Sequence, residues 1–325
     1  MKNHFKKECM NEAPTLAIVI PCFNEEEVLP STLHALTSYL SQLVEANLIS
    51  SQSYLCFVED GSLDATWSIL SDWCSSNKCI SAIKLSKNFG HQNALLAGLL
   101  NVESRCDISI SIDADLQQDH TCIVDFISHY KLGADVVFGV RRDRDSDTFL
   151  KRITAQTFYK LLSFLGVSVL PNHADYRLLS DRALKALALY KENDLFLRVI
   201  CKELGFKSSI VYFNVTARTA GVSKYTASKM IKMAVNGITS FSVVPLRLIA
   251  IVGLFISVSA ALMGLYVLIR VLFVGDAIPG WASIVLPIYL IGGVQILFLG
   301  IIGEYIGQVF KSVKSRPRFI IEKEL

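Results

Sequence analysis

The fold is decided by a stretch in the first half of the chain that reads Asp107-Ile-Ser-Ile-Ser-Ile-Asp-Ala-Asp-Leu-Gln117. A short apolar, β-branched run of this kind predicts a buried strand over residues 107–112. The run stops at two aspartates that are one residue apart, Asp113 and Asp115. Because ligands of open α/β sheets bind beyond the carboxyl ends of the strands, this stretch predicts a sheet and a site at its edge.

Similar runs lie on both sides of this stretch, at 15–20, 54–58, 80–85 and 134–140, with another strand predicted near 209–213. Segments with helical spacing of apolar residues separate the first of them, at 28–44, 65–74 and 93–100. Strands that alternate with helices predict an α/β fold, in which helices cover both faces of a mainly parallel sheet. Polar residues follow three of the strands, at 21–25, 59–62 and 113–115.

The composition departs from that of a soluble domain. Of the 325 residues 52% are hydrophobic and 19% are charged, whereas about a quarter are charged in a typical globular protein. The apolar surplus is concentrated in two uncharged segments, about 248–269 and 280–303, and each is long enough for a helix to cross a bilayer. They predict a transmembrane hairpin, and an amphipathic stretch over 226–246 precedes it.

The orientation of this hairpin follows from its flanking charges. Lysines and arginines lie before the first segment and after the second, whereas the loop between them has only Arg270 and Asp276. The excess of positive charge predicts that both ends of the hairpin are cytoplasmic. Residues 1–13 are polar and charged, so we expect no signal peptide there.

Charge and cysteine content exclude two other classes of site. The net charge is +3 and no run of lysine or arginine suggests a nucleic-acid partner. The eight cysteines are scattered without a Cys-x-x-Cys pair, which predicts reduced, structural thiols and not a metal site.

The polar strand ends contain groups that suit a nucleotide and a metal. The carboxylates of Asp113 and Asp115, with the amide oxygen of Gln117, are the hard ligands that Mg²⁺ or Mn²⁺ takes, and such a cation would stabilise a departing diphosphate. An acidic turn without a metal is the alternative. Asp60 is a candidate to accept a hydrogen bond from a nucleotide base, and Asn24 and Glu25 are candidates to line the same cleft.

Six motifs occur in a fixed order ahead of the apolar segments, namely Asn24-Glu25, Asp60-Gly-Ser-x-Asp-x-Thr66, Asn88-Phe-Gly-His-Gln92, Asp113-Ala-Asp-Leu-Gln117, Asp175-Tyr-Arg-Leu178 and Gly221-x-Ser-Lys-Tyr225. In this order they resemble the polyprenyl-phosphate glycosyltransferases of glycosyltransferase family 2, especially the bacterial bactoprenol glucosyltransferase-like group. The resemblance implies a cytoplasmic GT-A domain over 1–225, juxtamembrane helices over 226–246, two transmembrane helices within 247–310 and a cytoplasmic tail over 311–325.

The resemblance also implies an activity. A hexose would pass with inversion from a UDP-sugar to undecaprenyl phosphate at the bacterial plasma membrane, with release of UDP, in a homo-oligomer. GDP-mannose as the donor and a non-catalytic membrane scaffold are alternatives. A processive polysaccharide synthase fits less well, because none of the three tryptophans lies in a Gln-x-x-Arg-Trp site.

Residue roles are carried over from the resemblance alone. The expected donor-binding residues are Pro21, Asn24, Glu25, Asp60, Asp113 and Arg141. The expected metal ligands are Asp113, Asp115 and Gln117. The expected ligands of the acceptor phosphate or the diphosphate are Arg152, Arg218, Ser223 and Lys224. The expected catalytic residues are Asp115 and Asp175, with Asp175 as the base or as a positioning carboxylate.

Three positions near these motifs are harder to interpret. Arg177 is equally suited to an ion pair with Asp175 and to ligand contact, and His91 fits a structural hydrogen-bonding role better than contact with the donor. The chain departs from the family pattern at Glu59, where Asp is usual, and at 118–120, where Gln-Asp-His replaces a common Asp-Pro-Pro.

Overall fold

The computed structural model describes residues 13–142, 173–191, 197–214, 244–273, 281–314 and 316–325. Within these ranges one sheet has the strand order β7-β5-β6-β4-β1-β2-β3-β8. Its strands are β1 (Leu16–Cys22), β2 (Tyr54–Glu59), β3 (Ile80–Leu85), β4 (Ile108–Ser111), β5 (Val136–Arg141), β6 (His173–Ser180), β7 (Ser208–Phe213) and β8 (Ile321–Glu324).

Most neighbouring strands are parallel. Strand β1 pairs in parallel with β2 and β4, β2 with β3, and β5 with β7. Strand β6 is antiparallel to both β4 and β5, and β8 is antiparallel to β3. The predicted α/β class is confirmed, and the mainly parallel sheet is the GT-A-like arrangement that the resemblance implied.

Helices cover both faces of the sheet. Side chains alternate between the faces along a strand, and Ile18 and Ile20 of β1 lie in the same core cluster as Leu33 of the first helix. Val19 points the other way, where it contacts Gly98 so closely that a Cβ there would clash. The helices of this domain are α1 (Leu29–Glu45), α2 (Thr66–Ser76), α3 (His91–Asn101), α4 (Ile123–Lys131), α5 (Asp181–Ala188) and α6 (Leu197–Glu203).

The chain returns to the sheet at its C-terminus, which the sequence analysis did not predict. Leu325 and Ala82 exchange backbone hydrogen bonds of 2.8 and 3.1 Å. The Glu324 carboxylate accepts hydrogen bonds from Arg105 and Asn101, both at 3.0 Å. Strand β8 therefore covers the edge of β3, which would otherwise present unpaired backbone groups.

The cysteines agree with the expectation of reduced thiols. Each cysteine in the described ranges is free, and four of them are buried. Burial raises the pKa of the Cys56 and Cys106 thiols to about 12, which keeps them protonated and unreactive.

Two long helices form a second unit, α7 (Val244–Phe273) and α8 (Trp281–Val313), and they touch each other. The first predicted span, 248–269, falls within α7, and almost all of the second falls within α8. In the part of the chain that the structure describes, only Ile291–Phe310 is both long and apolar enough by composition to cross a membrane. The predicted juxtamembrane segment lies outside the described residues up to residue 243.

Candidate functional site

The carboxyl ends of β1, β2, β3 and β4 meet at one edge of the sheet because these strands are parallel. Strand β6 runs the other way, so its first residues, from His173 to Asp175, lie at the same edge beside the end of β4. Arg141 ends β5 at this edge and is exposed. The topology thus collects those predicted motifs that lie in the described residues at the edge where α/β sheets bind ligands.

Hydrogen bonds connect the turn after β1 to the turn after β2. The backbone N–H of Asn24 donates to the Ser62 hydroxyl at 3.0 Å, and the Asn24 side-chain oxygen accepts from the N–H of Leu63 at 2.9 Å. The N–H of Glu25 donates to the Thr66 hydroxyl at 3.0 Å. Asn24 has a φ of 53°, a left-handed conformation that asparagine tolerates. Its side chain therefore positions the second turn, whatever else it contacts.

Asp60 holds the loop that follows β3. The side chain is buried, and its two oxygens accept hydrogen bonds from the N–H groups of Phe89 at 2.7 Å and Gly90 at 2.9 Å. Burial raises the pKa of Asp60, although both backbone hydrogen bonds act to lower it. This carboxylate thus links the second turn to the start of α3, and any contact with a nucleotide would add to that role.

Gly61, next to Asp60, is required by the close approach of that loop. Its φ is 68°, and a Cβ at this position would clash with the backbone of Lys87 and Asn88. We expect Gly61→Ala to lower the free energy of unfolding by about 3 kcal/mol or more, since it displaces the loop whose next residues, Phe89 and Gly90, are bound by Asp60. Denaturant unfolding of the full-length chain measures the effect.

Gly133→Ala is the matched control for this prediction. Gly133 also has a positive φ, 85°, but the nearest atom to an added Cβ is the Lys207 Nζ at 3.6 Å. We expect this variant to lose only the cost of a left-handed alanine, about 1 kcal/mol. Equal losses in the two variants would show that the approach of the loop to Gly61 is unimportant.

The predicted metal-binding stretch forms a compact loop after β4. The N–H of Leu116 donates to the Asp113 carbonyl at 3.3 Å, and the N–H of Gln117 donates to Asp115 Oδ1 at 3.2 Å. Leu116 has a φ of 47°, which turns the chain back toward Asp113. The loop is also tied to α1, because the buried Thr32 hydroxyl donates to the Ala114 carbonyl at 2.6 Å.

The donor chemistry of this loop fits a divalent cation. Asp113 and Asp115 supply carboxylates and Gln117 an amide oxygen, and all three lie within five residues. Within the described ranges no cluster of three or more His, Cys, Asp or Glu could hold a metal alone. Two carboxylates in one loop suit Mg²⁺, which takes one or two carboxylates and completes its shell with substrate phosphates and water.

Asp175 is the most heavily contacted carboxylate of the site. It accepts hydrogen bonds from Arg177 Nη2, from Arg198 Nε at 3.2 Å and Nη2 at 3.0 Å, and from Gln92 Nε2 at 3.2 Å. Burial acts to raise its pKa, but Arg198, His91 and Arg177 outweigh burial and hold the pKa well below the usual range. Asp175 is therefore ionised at neutral pH and is a poor proton acceptor, which favours positioning over the role of a base.

Arg177 forms the ion pair with Asp175, the first of the two alternatives that its sequence allowed. Its side chain has no exposed surface, and its Nη1 also donates to the Cys201 sulfur at 3.3 Å. The buried Arg177 guanidinium therefore contacts Asp175 from the interior of the domain. Arg198, whose side chain is 27% exposed, holds the same carboxylate from the solvent side.

His91 links the two acidic groups at the N-terminus of α3. Its Nε2 lies 3.7 Å from Asp113 Oδ1 and 3.5 Å from Asp175 Oδ2. Partial burial opposes the charged form, but the hydrogen bond to Asp175 and the charge of Asp113 raise the pKa of His91 to about 8. The imidazole is thus largely cationic near neutral pH. His91 forms the structural contacts that its sequence context predicted, and it also lies inside the site.

His173 lies beside this cluster and, unlike His91, is uncharged. The ring is buried against Phe138, edge to face with centroids 4.9 Å apart. Burial and the charge of Arg177 lower the pKa of His173 to about 2. It is therefore neutral, and its role is packing.

Other predicted residues are placed less centrally. Pro21 is buried at the end of β1, and the Glu25 carbonyl accepts the first hydrogen bonds of α1, from Val28 and Leu29 at 3.1 and 2.9 Å. Arg152, Arg218, Ser223 and Lys224 lie outside the described residues.

Three site residues were missed by the sequence analysis, namely Gln92, Gln118 and Arg198. Arg198 had a local signal, since it interrupts the apolar run Leu-Arg-Val-Ile-Cys, and a charge in such a run usually has a partner. Gln92 lies in a motif that was recognised, yet its contact with Asp175 joins residues 83 apart.

Comparison with known proteins identifies the family of this chain. The model of the family "Glycosyl transferase family 2" matches residues 17–188. An uncharacterized glycosyltransferase of Bacillus subtilis, YkoT, is 46% identical over 96% of this chain and 92% of its own length. The SfII prophage-derived bactoprenol glucosyl transferase of Shigella flexneri is 35% identical over 95% and 97%, and a prophage bactoprenol glucosyl transferase homolog of Escherichia coli is 34% identical over 95% and 98%. The chain is therefore a glycosyltransferase that belongs to glycosyltransferase family 2 and is similar throughout its length to bactoprenol glucosyl transferases.

Proposed function

We propose that this chain transfers a hexose, with inversion, from a UDP-sugar to a polyprenyl phosphate such as undecaprenyl phosphate. The products are the polyprenyl-phosphate sugar and UDP. The observation that carries the proposal is the state of Asp175, which is ionised and enclosed by cationic groups. A site of this kind suits an acceptor that needs no deprotonation, and a lipid phosphate is such an acceptor.

The reaction needs no proton transfer. A phosphate oxygen of the acceptor attacks the anomeric carbon, the bond from that carbon to the diphosphate oxygen breaks, and UDP leaves with the electron pair. What the protein contributes is alignment of two anions against one carbon and neutralisation of their charge. Arg198 and His91 carry positive charge at the sheet edge, and Asp175 orients both of them.

Asp113, Asp115 and Gln117 are the residues that would hold Mg²⁺ or Mn²⁺. Such a cation would neutralise the diphosphate as a leaving group. On the family pattern, Pro21, Asn24, Glu25, Asp60 and Arg141 contact the donor, and Arg152, Arg218, Ser223 and Lys224 contact the acceptor phosphate or the diphosphate. These assignments are part of the proposal.

The membrane arrangement is also proposed. Helices α7 and α8 have 30 and 33 residues, and a helix needs about 20 to cross a bilayer. Large apolar side chains such as Phe255 and Ile296 are exposed on them, with 71% and 72% of their surface accessible. A hairpin in the bacterial plasma membrane, with both termini in the cytoplasm, would cover this surface and keep the lipid acceptor near the site. We also propose that the chain forms a homo-oligomer.

A panel of donors tests the nucleotide and the sugar. Purified full-length chain in detergent is incubated with undecaprenyl phosphate, Mn²⁺ and one of UDP-glucose, UDP-galactose or GDP-mannose, and nucleoside diphosphate release is measured. We expect release from a UDP-hexose that depends on the lipid. Release from GDP-mannose alone would replace the donor assignment, and no release from any donor would favour the membrane scaffold.

A further inference from the structure

The Gln118 side chain contacts Asp113 at two points. Its Oε1 accepts a hydrogen bond from the Asp113 backbone N–H at 2.8 Å, and its Nε2 donates to Asp113 Oδ2. Gln118 is 1% exposed, so its side of both hydrogen bonds is shielded from bulk water. Two hydrogen bonds between one pair of residues fix both the backbone and the carboxylate of Asp113.

The pairing leaves one carboxylate oxygen of Asp113 for other partners. Oδ2 is engaged by Gln118, whereas Oδ1 lies on the side of His91, 3.7 Å from its Nε2. The Asp113 side chain is 33% exposed. The hydrogen bonds to Gln118 therefore select one orientation of the carboxylate and direct Oδ1 toward the edge where Asp175 also lies.

Only a side-chain amide of this length provides both bonds. A primary amide carries an acceptor and a donor on the same carbon, whereas a carboxylate only accepts. Position 118 begins the Gln-Asp-His segment that replaces the usual Asp-Pro-Pro of the family, and an ionised Asp there could not donate to Asp113. The departure from the family pattern thus supplies the donor that the Asp113 carboxylate uses.

We propose that Gln118 is a positioning residue for the metal site, which fixes Asp113 in the orientation that binds the cation. The inference rests on the proposed function, because it takes Asp113 as a metal ligand. Hydrogen bonds to a ligating carboxylate orient it before the metal arrives, and loss of such a partner typically weakens metal affinity by about 10- to 100-fold.

The test measures metal binding directly. Full-length chain is titrated with Mn²⁺ in the presence of UDP, and free Mn²⁺ is followed by electron paramagnetic resonance. Gln118→Met keeps the length of the side chain and removes both hydrogen bonds, and we expect its Kd for Mn²⁺ to rise about 10-fold or more. Gln42→Met is the matched control, because Gln42 is exposed on α1, and it should bind as the unmodified chain does.

A thermal melt shows whether Gln118→Met folds, and a second variant is used if it does not. Gln118→Asn keeps the amide on a shorter stem, so it reaches at most one of the two groups, and we expect a smaller rise in Kd. Unchanged Mn²⁺ affinity in a folded Gln118→Met, or in Gln118→Asn if the first does not fold, would overturn the inference. If the unmodified chain binds no Mn²⁺ with UDP, the metal assignment of the proposed function fails instead.

Discussion

Asp115→Ala is expected to reduce sugar transfer by about 10³-fold, a loss of the size that follows removal of a group that stabilises charge in the transition state. Asp115 and Asp113 are carboxylates on the loop after β4, and we propose that both bind the cation that neutralises the departing diphosphate. The Asp115 side chain also accepts a hydrogen bond from the N–H of Gln117, within its own loop. We expect the fold to survive, with turnover measured as UDP release and folding measured by a thermal melt.

Asp119→Ala is the control for that variant. Asp119 lies four residues further along, and its Oδ1 accepts from the N–H of Thr121 at 3.0 Å as the cap of a short 3₁₀ helix. Loss of this cap costs about 1 kcal/mol of stability and should leave turnover within a few-fold of normal. If Asp115→Ala retained full turnover, the metal assignment would be wrong, and equal losses in both variants would indicate a general disturbance of the loop.

Asp175→Ala is expected to affect both stability and turnover. The change removes the common partner of Arg177 and Arg198 and leaves a guanidinium with no exposed surface without its counter-charge. Breaking a buried pair in this way costs about 3–5 kcal/mol. Arg198 and Gln92 would also lose the group that orients them, and misplacement of this kind costs about 100-fold in turnover. Denaturant unfolding and kcat for UDP release measure the two losses.

The matched control removes a carboxylate from an exposed arginine. Asp135 accepts from the Arg182 guanidinium, whose side chain is 55% exposed, and from the Ser180 hydroxyl at 3.0 Å. Asp135→Ala should lose about 1 kcal/mol or less, as exposed ion pairs do, with normal turnover. A loss in Asp175→Ala no larger than in Asp135→Ala would contradict the role given to the buried pair.

The contribution of Asp175 to the free energy of unfolding depends on pH in a direction that follows from its pKa. Its pKa in the folded chain lies well below the ordinary value, so the folded state favours the ionised form. The stabilisation is thus present above the ordinary carboxyl pKa and is lost as the pH falls below it and the carboxylate takes a proton. The difference in stability between the unmodified chain and Asp175→Ala should accordingly shrink in acid. Loss of Asp175 also removes the hydrogen bond that raises the pKa of His91, so the difference should decrease as well when the pH rises toward about 8.

The sequence predicted the strands that are apolar and continuous. Strands β1 to β5 and β7 have such runs, and their predicted positions agree with the structure to within a few residues. Strand β6 was missed because polar side chains, those of His173, Asp175 and Arg177, alternate along it. Asp175 pairs with Arg177 on the same strand and with Gln92 and Arg198 of other elements, so this strand has no continuous apolar run. Strand β8 was missed because an exposed edge strand needs no apolar run.

The site was predicted as a set of separate residues and not as a network of contacts between them. The aspartates at the strand ends could be identified because each follows an apolar run. The partners of Asp175 could not be identified in this way. Gln92 and Arg198 come from other elements of the chain, and they meet Asp175 only in the folded sheet. Likewise, the sequence left two alternatives for Arg177, and burial of its side chain favours the ion pair.

The identity of the acceptor is tested by supplying alternatives to it. Full-length chain is incubated with UDP-[¹⁴C]hexose and Mn²⁺, with undecaprenyl phosphate, undecaprenol or a soluble phosphate as the acceptor. Label is counted in the organic phase for the two lipids and in the separated aqueous product for the soluble phosphate. We expect label to enter the lipid only with undecaprenyl phosphate, with one UDP released for each sugar transferred. Transfer to undecaprenol or to the soluble phosphate, with none to undecaprenyl phosphate, would contradict it.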